Sequence, residues 1–395
     1  MNLTNILGRE KSFFSEDINE HNYEINSLIE DSSFLVIGGA GTIGQAVTKE
    51  LFKRNPRKLH VVDISENNLV ELVRDLRSSV GYIAGDFKTF VIDSGSSIFE
   101  KMAQNEGPYD YIFNLSALKH VRSEKDPYTL LRMIQVNLIN TVISSELFAS
   151  QNSSKYFCVS TDKATNPVNL MGASKRIMEL FLMRQSKVIN ISTARFANVA
   201  FSDGSLLHGF NQRFIKKQPL SAPSDIKRFF LSPEESGQLC LMSCLLGNNK
   251  DIFFPKIKDT ASAISFSEIA DKFLNDKGYK SEICSTEEEA RNIAEKSIED
   301  MRWPCYFFKS DTTGEKEIEE FYVAEDKVNL NLYDSIGVIK SGLTTKHQKL
   351  DTFYKEVSEM VLEGTASKSD IIHLFETILP EFQHKETGKY LDQKM

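Results

Sequence analysis

The chain has 395 residues, of which 41% are hydrophobic and 26% charged, a composition typical of a folded globular protein. Lysine and arginine number 47 against 55 aspartates and glutamates, and a net charge of −8 argues against nucleic-acid binding through bulk charge. Five cysteines without a CxxC pair argue against a disulfide framework and a zinc site, so we expect no metal.

The first half of the chain predicts alternating strands and helices. Residues 1–30 predict a polar helical extension. Because the sequence shows neither a signal-peptide core nor an apolar run of about 18 residues, we predict a cytoplasmic protein with no membrane insertion. The predicted strands are 34–37, 59–62, 90–92, 109–115, 156–160 and 188–195, and the helices between them are 42–54, 67–78, 97–105, 127–151 and 172–185. This alternation is typical of βαβ units, and six strands predict an α/β fold with a Rossmann-type doubly wound parallel sheet over 31–197.

The pattern loosens in the second half. We predict a smaller C-terminal substrate domain over 198–380 that folds back over the sheet, with an insertion at about 256–345 and a tail at 381–395. The charge-rich stretch 285–320 predicts a surface insertion. Predicted helices are 205–217, 232–246, 265–277, 287–301 and 367–379, and predicted strands are 252–255 and 321–324.

A glycine loop follows the first predicted strand. Gly38, Gly41 and Gly44 are spaced to allow a tight turn, and the helix after them directs its N-terminus at an anion such as a pyrophosphate. Asp63 ends the second strand, 63 − 44 = 19 residues beyond the loop, near the distance of about 20 expected for a ribose-binding carboxylate. A carboxylate there repels a 2′-phosphate, so the sequence predicts NAD rather than NADP. Asp93, after the third strand, is either a contact for the adenine end or an ordinary turn residue.

Polar and charged side chains are concentrated over residues 159–175. This segment leaves a predicted parallel strand at its carboxyl end, where open α/β sheets bind ligands. It combines two hydroxyls, a carboxylate, two ammonium groups and two amides. It is therefore a candidate catalytic segment, the alternative being a polar loop that caps the next helix.

Several segments together resemble the extended short-chain dehydrogenase/reductases, and among them the 4,6-dehydratases of polysaccharide biosynthesis that act on UDP-N-acetylglucosamine. They are GGAGTIG (38–44), NLSALKHV (114–121), STDKATNPVNLMGASK (160–175), RFANV (195–199), the stretch from SLLHGF to KRFFLS (205–232) and TGEK (313–316). Most members have a tyrosine four residues before the lysine that corresponds to Lys175, whereas this chain has Met171. A thioether cannot take up a proton, and the sequence is similar to the subset with methionine there.

The resemblance implies an NAD-dependent reaction on a UDP-N-acetylhexosamine. The C4 hydroxyl is oxidised, water is lost across C5–C6, and the hydride returns to C6. It implies Thr161 at the C4 hydroxyl, Lys163 as the C5 base and Asp162 as the C6 acid, and the residues alone leave the reverse assignment of the last two open. Lys175 would bind the nicotinamide ribose.

The resemblance also implies binding residues. The expected cofactor residues are Gly38, Gly41, Thr42, Ile43, Gly44, Asp63, Asp93, Ser116, Ala117 and Lys175. The expected substrate residues are Lys119, His120, Ser160, Met171, Asn198 and Arg228. Lys119 and His120 are otherwise a solvated pair on a loop. A homo-oligomer is expected, and the alternative functions are a nucleotide-sugar 4-epimerase, a C5-inverting dehydratase and a non-catalytic NAD-sensing protein.

Overall fold

The computed structural model describes residues 3–257, 263–310, 319–342, 347–385 and 388. Three short helices open the chain: α1 (Leu3–Ile6), α2 (Ser15–Glu20) and α3 (Asn22–Glu30). They are not the purely polar extension that the composition of 1–30 predicts. Ile18, Ile25 and Ile29 point inward and pack into the same core as the first strand of the sheet.

Six parallel strands form the centre of the sheet, as predicted. They are β1 (Ser33–Ile37), β2 (Lys58–Asp63), β3 (Asp86–Val91), β4 (Tyr111–Asn114), β5 (Lys155–Thr161) and β6 (Asn190–Phe196). Their order is β6-β5-β4-β1-β2-β3, so the direction of winding reverses between β1 and β4. Ligands of doubly wound sheets bind at the carboxyl ends of the strands beside this reversal.

The helices that connect these strands also follow the prediction. They are α4 (Thr42–Phe52), α5 (Glu66–Ser79), α6 (Ser97–Glu106), α7 (Pro127–Ile134), α8 (Asn140–Ser150) and α9 (Leu170–Gln185). A π-helical turn at Gln135–Ile139 joins α7 to α8, so the single helix predicted over 127–151 is one rod with a locally widened turn.

Residues after 197 form ten further strands and six further helices among those described. The strands are β7 (Asn198–Val199), β8 (Leu220–Pro223), β9 (Lys227–Arg228), β10 (Phe230–Leu231), β11 (Asp251–Pro255), β12 (Ile264–Ser265), β13 (Lys280–Cys284), β14 (Arg302–Phe308), β15 (Lys327–Asn329) and β16 (Ile336–Lys340). The helices are α10 (Leu206–Ile215), α11 (Pro233–Leu245), α12 (Phe266–Asp276), α13 (Glu287–Glu299), α14 (His347–Glu363) and α15 (Lys368–Ile378).

These later elements divide between two places. β11 pairs with β6, β16 with β11 and β15 with β16, which extends the central sheet to nine strands. β13, β14 and β8 form a separate three-stranded sheet, and α10 and α12 share a core with it. The predicted boundary at 197 stays a prediction, but the chain beyond it contributes to the central sheet as well as folding over it.

Two local predictions are wrong, and one predicted strand is present with different bounds. No strand forms at 321–324; Phe321 is apolar because it packs on Phe254, with ring centroids 5.7 Å apart. The described part of 285–320 is not a surface insertion, because Trp303 and Cys305 of β14 are buried in the core of the smaller sheet. The strand predicted at 90–92 begins at Asp86, where alternating exposure at the sheet edge hides the apolar signal.

Candidate active site

The glycine loop between β1 and α4 has the geometry of a backbone cradle. Gly38 has φ +74°, and a Cβ atom there would lie 2.7 Å from the backbone nitrogen of Ser116. A Cβ on Gly44 would lie 2.1 Å from the Gly38 carbonyl oxygen. Gly41 is the N-cap of α4, so the first helical N–H groups open beside this tight turn. The residues present therefore fit a pyrophosphate-binding loop.

The two predicted acidic cofactor contacts differ in their surroundings. The Asp63 carboxylate accepts hydrogen bonds from the backbone nitrogens of Ala40 and Ser65, both at 2.9 Å, which places it beside the glycine loop. The Asp93 carboxylate accepts from Arg132 Nη2 at 2.9 Å, on the flank of α7. The adenine role for Asp93 stays a prediction, and its carboxylate already has a cationic partner.

A cavity of about 1040 Å³ opens at the carboxyl ends of the central strands. Its other wall comes from β7, α10 and β9, so it lies between the sheet and the residues that follow it. The volume is at the upper end of the roughly 300–1,000 Å³ usual for ligand pockets. The predicted site residues that line it are Gly38, Gly41, Thr42, Ile43, Gly44, Ala117, Lys119, His120, Ser160, Thr161, Asp162, Lys163, Met171, Lys175, Asn198 and Arg228. Asp63, Asp93 and Ser116 are not among the described lining residues.

Three consecutive side chains at the carboxyl end of β5 form a hydrogen-bonded triad. The Thr161 hydroxyl donates to Asp162 Oδ1 at 2.8 Å, and Lys163 Nζ lies 3.2 Å from the same oxygen. Thr161 also caps the short 3₁₀ helix Asp162–Ala164 by accepting from the Lys163 backbone nitrogen. Asp162 is buried and Lys163 is part-exposed, and both side chains line the cavity.

Two predicted residues of α9 lie beneath this triad. Lys175 is buried, and its Nζ donates to the carbonyl oxygen of Val159 at 3.1 Å. Burial lowers the pKa of Lys175, which the charge of Glu179 partly offsets. Met171 is also buried and lines the cavity, and its backbone nitrogen donates to Glu124 Oε1 at 2.9 Å. The methionine thus presents an apolar surface at the position where the resemblance to the short-chain dehydrogenase/reductases implies a tyrosine.

Lys119 and His120 both line the cavity, Lys119 as an exposed side chain and His120 as a part-buried one, and their role in substrate binding stays a prediction. Lys119 Nζ donates to the Ser202 hydroxyl at 3.1 Å, which joins the loop after β4 to the residues after β7. Burial lowers the pKa of both side chains, and for His120 the charges of Lys119 and Arg122 lower it further. A Cβ on Gly204 would lie 2.7 Å from His120 Nε2, so the imidazole packs directly on that glycine.

A second bridge across the cavity joins Thr42 to the same loop. The Thr42 hydroxyl accepts from the backbone nitrogen of Asp203 at 2.9 Å. This hydrogen bond therefore fixes the position of the glycine loop relative to the loop after β7.

Ser160, predicted to contact substrate, has a buried partner. Its hydroxyl donates to Glu179 Oε1 at 2.7 Å. Glu179 in turn receives Arg195 Nε at 2.9 Å and Nη2 at 2.7 Å, and this ion pair is buried on both sides. Burial alone would raise the pKa of Glu179, but Arg195 and Arg176 lower it to about 2. Two features of the sequence could have indicated this pair. Glu179 is a glutamate within the apolar run of α9, and Arg195 is the arginine of the RFANV segment.

The residue that the sequence analysis missed entirely is Glu319. It lines the cavity, and its carboxylate accepts from Asn198 Nδ2 and from the backbone nitrogen of Phe229. Arg228, the neighbour of Phe229, also lines the cavity. The only sequence feature that pointed to this region was the TGEK segment at 313–316, which shares the family resemblance and precedes Glu319. That segment itself lies outside the described residues.

One group of side chains elsewhere has the arrangement of a metal site. His60, Asp86 and Glu106 each offer a ligand atom within 4.8 Å of the others. Lys88 Nζ lies 2.7 Å from Glu106 Oε2 and 3.6 Å from Asp86 Oδ2. An ammonium group therefore already neutralises both carboxylates.

Comparison with known proteins gives related sequences over most of the chain. A family model described as polysaccharide biosynthesis protein matches residues 34–340. A Methanocaldococcus jannaschii protein named as an uncharacterized membrane protein is 30% identical over 353 residues, which is 85% of this chain and 98% of the relative. No helix among the described residues of this chain has the length and apolarity to cross a membrane.

Two relatives carry named activities. The UDP-glucose 4-epimerase of Rickettsia rickettsii is 25% identical over 336 residues, 77% of this chain and 94% of the relative. The inverting UDP-N-acetylglucosamine 4,6-dehydratase of Campylobacter jejuni is 26% identical over 240 residues, 58% of this chain and 68% of the relative. The matches to EpsC of Bacillus subtilis and CapD of Staphylococcus aureus, both polysaccharide biosynthesis proteins, span 46% of those relatives.

Solved structures share the fold at low sequence identity. Pen from Bacillus thuringiensis superposes with a TM-score of 0.63 at 19% identity, over 85% of this chain and 98% of Pen. WbmF of Bordetella bronchiseptica in complex with NAD⁺ has a TM-score of 0.51 at 18% identity, over 63% of this chain and 79% of WbmF.

Proposed function

The chain belongs to the polysaccharide biosynthesis protein family, whose relatives include nucleotide-sugar dehydratases and epimerases, and from this premise we propose that it is an NAD-dependent 4,6-dehydratase of UDP-N-acetylglucosamine. The product is a UDP-4-keto-6-deoxy-N-acetylhexosamine. One observation carries the proposal: the Thr161–Asp162–Lys163 triad faces a ligand-sized cavity at the carboxyl end of β5. An elimination across C5–C6 needs a base and an acid side by side, and this triad supplies both.

The glycine loop is the proposed site for NAD. Gly38 and Gly44 leave no space for a side chain, so backbone N–H groups line the turn and can approach a pyrophosphate closely. Asp63 lies beside this loop at the end of β2, in reach of a ribose bound there. Bound NAD supplies a hydride acceptor for C4 and the hydride donor for C6. The NAD⁺ complex of WbmF supports this assignment.

The residues of the triad divide the proton transfers. Thr161 accepts the proton of the C4 hydroxyl and can pass it to Asp162, to which its own hydroxyl donates at 2.8 Å. Lys163, as the neutral amine, removes the C5 proton that the adjacent ketone has made acidic, and it returns a proton to C5 when the hydride reaches C6. Asp162 delivers a proton to the C6 oxygen as it leaves. Met171 cannot take a proton, so the transfers centre on the triad.

A 4-epimerase is the second candidate, because the Rickettsia epimerase aligns along 94% of its own length. An epimerase oxidises C4, rotates the ketone and returns the hydride to C4. It needs no acid and base at C5 and C6, so it gives Asp162 and Lys163 no role.

The two candidates are separated by the mass of the product. Purified protein incubated with NAD⁺ and UDP-N-acetylglucosamine should yield a nucleotide sugar lighter by one water, whereas an epimerase yields an isomer of equal mass. Lys163→Ala and Asp162→Asn should each lower turnover by about 10²–10⁴-fold and leave NAD bound. Lys355→Ala, which removes an exposed lysine of α14, is the matched control. Near-normal turnover in either triad variant would remove that residue from the mechanism.

A further inference from the structure

Glu319 forms part of the wall that faces the triad. Oε2 accepts from the backbone nitrogen of Phe229 at 3.2 Å, and Oε1 accepts from Asn198 Nδ2. The same cavity is lined by Asp162 and Lys163. A carboxyl group besides that of Asp162 is therefore present where the proposed chemistry takes place, and the mechanism above does not use it.

The backbone next to Glu319 is anchored to the central sheet. Arg195 Nη1 of β6 donates to the carbonyl oxygen of Phe321 at 2.6 Å. The Phe321 ring is buried and stacks on Phe254 of β11. Both contacts come from the body of the sheet, so the position of Glu319 is fixed by the fold.

The charges around Glu319 place its ionisation in the neutral range. Burial, and then the negative charge of Asp162, raise the pKa of Glu319 from 4.5 to about 7. Lys163, the Phe229 N–H group and Arg228 of β9 act in the opposite direction. Its own neighbour Glu320 is exposed and accepts from Asn166 Nδ2 at 3.4 Å. Asp162 is therefore the group whose charge opposes ionisation of Glu319 most strongly.

The proposed reaction requires storage of protons. One proton is released from the C4 hydroxyl and one from C5. One is consumed when the C6 hydroxyl leaves as water, and one when C5 is protonated again. The hydride that leaves C4 returns to C6, so electrons and protons balance with no outside reagent. The resting Asp162–Lys163 ion pair already holds one proton and its two groups can hold two, so the C4 and C5 protons together exceed its capacity by one, and another group must hold that proton.

We propose that Glu319 is a third proton-carrying residue of this site, which exchanges a proton with Asp162 and lets the Asp162–Lys163 pair act as acid and base within one turnover. The inference rests on the proposed function, because it assigns Glu319 to the same reaction. Glu319 exchanges its proton with Asp162 and acts on the sugar only through that residue. We therefore class it as a positioning residue and not as a catalytic one.

The kinetic test is Glu319→Gln, which keeps the shape and an acceptor but cannot ionise. We expect kcat to fall about 10²-fold and the change of kcat with pH near 7 to disappear. Glu319→Asp should retain that pH dependence, and Glu320→Gln, at the adjacent exposed position, should behave as the wild type. A Glu319→Gln enzyme with wild-type kcat and an unchanged pH profile would overturn the inference.

A second measurement needs no turnover and separates this inference from the proposed function. In protein labelled with ¹³C at its glutamate carboxyls, one NMR resonance should titrate near pH 7, be absent in Glu319→Gln and titrate at lower pH in Asp162→Asn. A Glu319 resonance that titrates in the ordinary range, or that ignores Asp162→Asn, would overturn the inference even if the wild type dehydrates the sugar. Failure of the wild type to lose water would instead refute the proposed reaction.

Discussion

The buried ion pair between Glu179 and Arg195 predicts a large loss of stability when only one partner is removed. Arg195→Met keeps much of the side-chain volume but leaves the buried carboxylate of Glu179 with Arg176, at 3.2 Å, as its cationic partner and the Ser160 hydroxyl as a neutral donor. It also removes the donor to the Phe321 carbonyl. Breaking a buried pair in this way typically costs about 3–5 kcal/mol.

The pKa of Glu179 gives a second route to the same magnitude. Its native value of about 2 against 4.5 is a difference of 4.5 − 2 = 2.5 units. At about 1.4 kcal/mol per unit this corresponds to about 3–4 kcal/mol, as the net effect of burial, Arg195, Arg176 and Ser160 together. Because the native pKa is depressed, this stabilisation is present above about pH 4.5 and is lost as the pH falls towards 2. In Arg195→Met, burial of the Glu179 carboxylate outweighs its remaining partners and raises its pKa. The free energy of unfolding should therefore fall as the pH rises.

Urea unfolding followed by circular dichroism measures both effects. The double variant Glu179→Met/Arg195→Met removes both charges and should be more stable than Arg195→Met alone. Arg176→Met, which removes the more exposed partner of the same carboxylate, should cost less. A loss below about 1 kcal/mol in Arg195→Met, or a double variant less stable than the single one, would refute the reasoning.

Three further predictions concern the cofactor, the triad and Glu319. Asp63→Ala should weaken NAD binding measured by calorimetry by about 10–100-fold, since charged hydrogen bonds contribute about 1.5–3 kcal/mol, and unchanged affinity would exclude Asp63. Met171→Leu should keep most of the activity, since such swaps usually cost under about 1.5 kcal/mol, whereas Thr161→Val should lose much of it; the opposite ranking of steady-state rates would contradict the proton route. A raised pKa makes ionised Glu319 destabilising, so the gain in melting temperature of Glu319→Gln over the wild type should grow between pH 4.5 and 7; a pH-independent difference would argue against the shift.

The parallel sheet was predictable because its signals are local. Each of β1, β4 and β5 is a short apolar run, and the glycine loop follows β1 directly. The triad was found for the same reason, because its three residues are consecutive. The strand order and the cavity at the carboxyl ends then follow from the fold class.

The failures share a different cause, which is contact between segments far apart in the chain. Glu319 lies 319 − 162 = 157 residues beyond Asp162, and no spacing rule joins them. Phe321 looks like part of a strand because apolarity does not reveal whether a residue pairs in a sheet or packs singly on a neighbour such as Phe254. Ile25 and Ile29 fall within the predicted polar extension because the overall polar composition of 1–30 conceals one apolar helix face.

The most direct test of the central claim follows the hydrogen at C4 of the sugar. UDP-N-acetylglucosamine carrying deuterium at C4 is incubated with the protein and NAD⁺, and the product is examined by mass spectrometry and NMR. The account predicts a 4-keto sugar lighter by one water that carries the deuterium at C6. An isomer of unchanged mass with deuterium still at C4, or a dehydrated product without deuterium, would contradict it.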